Sequence, residues 1–155
     1  LSPEKIKELT NVMTTLNKYA KDSLKNLNVN SCTDITGFSL IGHSYEMASG
    51  SDKTIKIFTE SLPILSDALD YARMGIIPEG MYNNLEYLKN LFTCSNNISQ
   101  EMKDILLDPQ TSGGLLLSMP EKDALEFISR MELNNPWTRI IGTVTDKQSH
   151  SIIIK

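Results

Sequence analysis

Apolar residues recur at three- and four-residue steps from the start of the chain: Ile6, Leu9, Met13, Leu16, Ala20, Leu24 and Leu27. That spacing predicts one long amphipathic helix laid over a core, with Lys5, Lys7, Lys18, Lys21 and Lys25 on its solvated faces. A stripe held out for a partner is the other reading of the same pattern. Ser2-Pro3-Glu4 provides the N-cap, a first-turn proline and an acidic first turn. Asn28, Asn30 and Ser31 end the helix. A second stripe, Ile41, Tyr45 and Ala48, continues from Gly37 and stops at Ser49-Gly50-Ser51. In Thr54-Ile55-Lys56-Ile57-Phe58-Thr59 the β-branched content and alternation predict a strand with one better-buried face.

Pro63 is expected to open a helix with Leu65, Ala68, Leu69 and Ala72 on one side, closed by Gly75. Residues 76–80 read as a loop, and 83–90 are undecided between a helical turn and irregular structure. Leu91-Phe92-Thr93-Cys94 suits a short strand. Ser99 caps a helix carrying Met102, Ile105 and Leu106, which Asp108-Pro109 breaks. Gly114-Leu115-Leu116-Leu117-Ser118-Met119 is nearly all apolar, as in a strand buried on both faces. Pro120 opens a helix holding Ala124, Phe127, Ile128 and Met131. Residues 139–145 form a strand, 146–149 a turn, and Ile152-Ile153-Ile154 a last strand that completes a terminal hairpin. The fold class is α+β: a layered α/β domain with a mixed sheet and packed helices.

Composition narrows the picture. The 155 residues make one domain of ordinary size, long enough to bury ~70% of the surface of its unfolded chain. A net charge of −4 argues against nucleic acid and against an anionic membrane surface as partners. No apolar run approaches the ~18 residues of a membrane span. Two cysteines and no signal peptide fit a reducing cytoplasm. His43 and His150 are far apart and neither joins a cysteine pair, which argues against a zinc site. The chain starts at Leu1-Ser2-Pro3, a helix-start signal without an initiating methionine, and is expected to be one domain of a longer protein.

Candidate chemistry concentrates in two stretches. Asp34 stands between Cys32 and Gly37, at a turn from strand to helix. A carboxylate is a hard oxygen ligand for Mg²⁺, and a helix N-terminus behind it would favour a phosphate. Alternatively Asp34 or Thr36 simply ties off the helix as an Asx-turn or N-cap. One carboxylate is too few to hold the ion unaided. The second stretch is Asp108-Pro109-Gln110-Thr111-Ser112-Gly113-Gly114. Its glycines permit positive φ or close backbone approach, so it reads as an anion cradle or as a plain connector. It is not a Walker loop, because no Gly-Lys-Ser/Thr follows. Cys32 lacks cationic flanks and a neighbouring histidine, so it reads as a small hydrophobe rather than a nucleophile. His43 reads as packed or capping, Trp137 as boundary packing, and Lys53 and Arg139 as single cations able to meet an anion.

Together the two stretches closely resemble a known family. Thr33-Asp34-Ile35-Thr36-Gly37-Phe38-Ser39-Leu40-Ile41-Gly42-His43 is similar to the Thr-Asp-Val-Thr-Gly-Phe-Gly-Leu-Leu-Gly-His run of selenophosphate synthetases, the selenide, water dikinases. Asp108-Pro109-Gln110-Thr111-Ser112-Gly113-Gly114-Leu115 matches that family's second segment without a change. Pro63-Ile64-Leu65, the loop from Gly75 to Gly80, Asn84 and Ile141-Gly142-Thr143-Val144 also fit. Ser39 departs from the family glycine, a change a helix's first turn tolerates.

The resemblance covers residues 1–155 and only the C-terminal domain of the family, within the wider group of AIR-synthase-related proteins. It implies an N-terminal ATP-binding domain outside this chain, and an enzyme that converts ATP, selenide and water to selenophosphate, AMP and phosphate. It implies Mg²⁺ and ATP as cofactor and substrate of the full-length enzyme, neither bound tightly by this domain alone. It further implies a full-length homodimer and a cytoplasmic location. Asp34 aligns with the aspartate that completes the family's magnesium site from the C-terminal side. The reactive cysteine or selenocysteine belongs to the absent domain, and Cys32 does not align with it. The alternatives are another ATP-using relative, such as a thiamine-phosphate kinase, or a non-catalytic assembly domain. The unchanged match at 108–115 weighs against the first of these.

Overall fold

The computed structural model describes residues 2–155. Ser2 accepts the backbone N–H of Lys5 at 3.4 Å and starts helix α1, Pro3–Thr14. Leu1 lies outside the described residues. The helix does not run on to Leu27. It stops at Thr15, whose backbone is extended, and a separate helix α2 spans Lys18–Ser23. The threonines account for the break. Thr10, Thr14 and Thr15 each donate a side-chain bond of 2.7 Å to the carbonyl four residues back. β-Branched residues that bond to their own helix compete with its ladder. The stripe is also less covered than its pattern suggests: neither helix contains a buried residue. The core-covering expectation therefore fails for this segment.

The core is built elsewhere. Strand β2, Lys53–Ile57, lies in the middle of a four-stranded sheet of order β3-β6-β2-β5, where β3 is Phe92–Cys94, β5 is Gly142–Asp146 and β6 is Ile152–Ile154. β2, β6 and β3 run parallel and β5 antiparallel, so the sheet is mixed. The expected terminal hairpin does not form: β2 slots between β5 and β6. The link between those strands crosses the end of β2. There the Thr54 hydroxyl donates to the His150 carbonyl at 2.8 Å and accepts from the Gln148 N–H at 2.9 Å. Ile55, Ile57, Ile152 and Ile154 of the sheet pack on Ile41 and Ala48 of α3, Ser39–Gly50. Met81 and Leu88 of α5, Glu79–Leu88, and Leu106 of α6, Gln100–Leu106, complete that core.

Other boundaries moved for local reasons. The helix expected from Pro63 begins at Ala68, as α4, Ala68–Arg73, after Asp67 adopts φ 65°. Residues 83–88 of the undecided stretch belong to α5, which begins at Glu79 and so takes the last two residues of the loop expected at 76–80. Ser99 caps α6 as expected, accepting from the Met102 N–H at 3.3 Å. Pro120 directly precedes α7, Glu121–Met131. The strand expected from Arg139 starts at Gly142. The apolar run after Gly114 is β4, Leu115–Ser118, but it is not buried on both faces. It pairs antiparallel with β1, Ser31–Asp34, in a two-stranded ladder outside the main sheet. All four of its residues are half-buried. An isolated two-stranded ribbon is marginal in water, so this ladder depends on the loops that lock its end.

Candidate functional site

The locked end of that ladder carries both motifs. Asp34 is the last residue of β1 and sits opposite Leu115. Alternation leaves Cys32 and Asp34 exposed and turns Ile35 inward, where it is 5% exposed. The Ile35 N–H donates to the Gly114 carbonyl at 2.9 Å, and the Gln110 N–H donates to the Thr36 carbonyl at 3.2 Å. Gly113 lies so close that a Cβ there would stand 2.2 Å from the Ile35 carbonyl oxygen. The two stretches read separately from the sequence thus form one backbone unit. Close approach at Gly113 is what the glycine provides, while the positive φ of this loop falls on Ser112, at 54°.

Asn84 ties the unit from behind. Its side-chain amide donates to the Gly37 carbonyl and to the Leu107 carbonyl, both at 3.0 Å. One buried amide therefore fixes the exit from the first motif and the approach to the second. The sequence held a signal for this: Met81, Asn84 and Leu88 share the buried face of α5, and Asn84 is the polar member.

The helix behind Asp34 begins two residues later than Gly37. Its capping hydroxyl is Ser39, which accepts from the Gly42 N–H at 3.3 Å. Asp34 is not the cap, and among the described residues its carboxylate has no side-chain hydrogen bond or ion pair. Ser39 is fully buried and holds φ 71°, in the left-handed region. The family glycine at this position has a physical reason, and serine here is more than a tolerable first-turn change. Its cap bond offsets part of the ~1–2 kcal/mol that a left-handed L-residue costs. The Thr36 hydroxyl meets His43 Nε2 at 3.1 Å, and His43 Nδ1 meets Glu46 Oε2 at 3.0 Å. The Phe38 ring stands edge-on to that imidazole. His43 is packed, as expected, within a hydrogen-bonded chain.

The electrostatics leave few other reactive groups. Partial burial, with the Asp34 carboxylate second, pushes the Cys32 thiol up, and burial pushes the Cys94 thiol up. Both therefore stay protonated at neutral pH and make poor nucleophiles. Burial also pushes the Asp108 carboxyl up. Lys53 is paired with Asp146 at 2.9 Å across β2 and β5, so it is not a spare cation for an anion. Among the described residues no three His, Cys, Asp or Glu side chains gather as a metal cluster. Two shallow surface hollows lie along α7 and the segment after it, lined by residues such as Leu125 and Ser129, and neither touches Asp34. Asp34 offers one hard oxygen donor on open surface.

Residues 5–155 match the family described as AIR synthase related protein, C-terminal domain. The chain belongs to that family. The α+β layout with a mixed sheet agrees with the membership. A Clostridium botulinum protein (strain Eklund 17B / Type B) named selenide, water dikinase is 65% identical over 155 residues, which is 100% of this chain and 45% of the relative. A Clostridioides difficile protein (strain 630) of the same name is 46% identical over 144 residues, covering 92% of this chain and 41% of the relative. This AIR synthase related domain thus spans less than half the length of these relatives. No described helix is long and apolar enough to cross a membrane.

Proposed function

We propose that this domain is the C-terminal part of a selenide, water dikinase and contributes Asp34 as one magnesium ligand to an ATP site shared with an N-terminal domain. The observation that supports this most is the exposed Asp34 carboxylate, without a side-chain partner among the described residues, at the end of a ladder locked by both motifs. Magnesium is usually held by one or two carboxylates together with substrate phosphates and retained waters. A single hard donor, with no carboxylate cluster around it among the described residues, suits one position in such a shared set. The ion, when bound, would neutralise charge on the phosphates. What this domain does is hold Asp34 in place: Ile35 is buried, Gly113 is packed on its carbonyl and Asn84 is bonded behind it.

The reaction is ATP, selenide and water to selenophosphate, AMP and phosphate, in a cytoplasmic, homodimeric full-length enzyme. The reactive Cys or Sec lies on the N-terminal domain, consistent with the high thiol pKa of Cys32. A thiamine-phosphate kinase or a non-catalytic assembly domain has no observation in its favour. The full-length protein, given ATP, Mg²⁺ and selenide, is expected to release AMP only when selenide is present, with selenophosphate visible by phosphorus NMR. AMP or ADP release that ignores selenide would assign the domain to a different ATP-using enzyme.

A further inference from the structure

Helix α1 and the turn after it leave an apolar stripe that the core does not use. Ile6, Leu9 and Met13 stand three and four residues apart, so they share one face of α1. Ile6 is 51% exposed, Met13 38%, and Leu16, just past the end of the helix, 61%. Single exposed apolar residues are ordinary, but a row of them along one helix marks an interaction surface. The helix also lacks support. It has 12 residues and none is buried, and a helix that short is marginal in water unless one face is packed. Polar bonds near its ends hold it instead. Lys5 pairs with Asp67 and donates to Ser66 Oγ at 3.2 Å, and that hydroxyl donates to Glu8 at 2.6 Å. Past the other end, the Asn17 side-chain amide donates to the Gly113 carbonyl at 3.4 Å.

That last bond places the stripe. Gly113 packs on the Ile35 carbonyl and lies two residues before Leu115, the register partner of Asp34. The Leu16 end of the stripe is therefore beside the loop that sets Asp34. Ile6 lies toward the other end of a helix about 18 Å long. A relative that this chain matches throughout is more than twice as long as the chain. In the function proposed above, the part ahead of α1 supplies the remaining magnesium ligands. That part joins the domain at the start of α1 and meets Asp34 beyond its end, so it extends along the helix. We propose that Ile6, Leu9, Met13 and Leu16 are the seat on which the N-terminal domain of the full-length protein docks. Docking removes the stripe from water and gives α1 the packing it lacks. The inference rests on the reading of a site shared between the two domains. A second copy of this chain has neither the tether nor the shared ligands to bring it to this face.

The test is maleimide labelling of single introduced cysteines in the full-length protein, read peptide by peptide by mass spectrometry, without metal or nucleotide. Met13→Cys is expected to react about tenfold more slowly than Leu133→Cys, because thiol reactivity follows access and Leu133 is 97% exposed. Leu16→Cys repeats the measurement if the first variant fails to fold. Equal rates at residues 13 and 133 would overturn the seat. A photo-crosslinking benzoylphenylalanine placed at residue 13 identifies the occupant, in a mixture of unlabelled and ¹⁵N-labelled protein. The expected product joins residue 13 to a peptide ahead of Leu1 in the same chain. A product joining a labelled to an unlabelled chain would overturn the proposal in favour of a second copy. Because neither readout involves magnesium, the seat and the ligand fail separately. Fast labelling at residue 13, in a protein whose Asp34→Asn variant loses activity, would remove the seat and leave Asp34 standing.

Discussion

Asp34→Asn in the full-length protein is expected to lower selenide-dependent AMP release about a thousandfold, or ~4 kcal/mol of transition-state stabilisation. The change is nearly isosteric and removes only the charge. Asp34 is exposed at a strand end with no side-chain partner among the described residues, so the fold loses no contact. The melting midpoint should accordingly correspond to a stability change within about 0.5 kcal/mol. The pairing of a large kinetic loss with an intact fold is the informative outcome. A ligand shared with another domain predicts it, whereas an Asx-turn or a cap predicts the reverse. Steady-state kinetics and a thermal melt of the same preparation check both halves, and activity within about threefold of the parent would remove Asp34 from the metal site.

The second large effect is on stability. Gly113→Ala is expected to destabilise the 155-residue chain by about 3 kcal/mol, near 10 °C in melting temperature. The new methyl would stand 2.2 Å from the Ile35 carbonyl oxygen and 2.8 Å from Gln110 Oε1. The Gln110 side chain can move aside. The Ile35 carbonyl cannot, because the Ile35 N–H is bonded to Gly114 and its side chain is buried. The loop at 108–114 must therefore lift off β1 and take the setting of Asp34 with it. Gly114→Ala is the control: its Cβ meets nothing within 4 Å, and the cost should stay under about 1 kcal/mol. Urea titrations of the two variants compare them directly, and equal losses would show that packing against Ile35 is not what the glycine serves.

Local chemistry made much of this fold readable in advance. Ser2, Ser99 and Pro120 mark helix starts, Gly50 and Gly75 mark ends, and the alternation around Ile55 and Ile57 marks the central strand. What escaped was set by contacts distant in sequence. The apolar run 115–117 reads equally as a buried strand or a half-covered ribbon, and only its pairing with β1 decides. Nothing near residues 146–154 announces that β2, about ninety residues earlier, will separate the last two strands. The N-terminal stripe has helical spacing throughout, yet the threonine side chains interrupt it and the core does not reach it.

The site divides along the same line. Both motifs, and Asp34 as the candidate ligand, were legible because their residue types are unusual at those spacings and match a family. Their union was not, since it consists of backbone bonds between residues 35–36 and 110–114. Ser39 shows the limit of reading a substitution from sequence: the cost of replacing glycine depends on φ, and φ is positive there. Asn84 and Glu46 acquire meaning only from the carbonyls and the imidazole they meet.

On this reading the domain holds one ligand of a site it cannot complete. Calorimetric titration of ATP with Mg²⁺ into the isolated 155-residue chain, beside the full-length protein, tests it most directly. Saturable, magnesium-dependent binding is expected from the full-length protein, weakened by Asp34→Asn, with no saturable heat from the isolated chain. Saturable magnesium-dependent ATP binding by the isolated chain would contradict it.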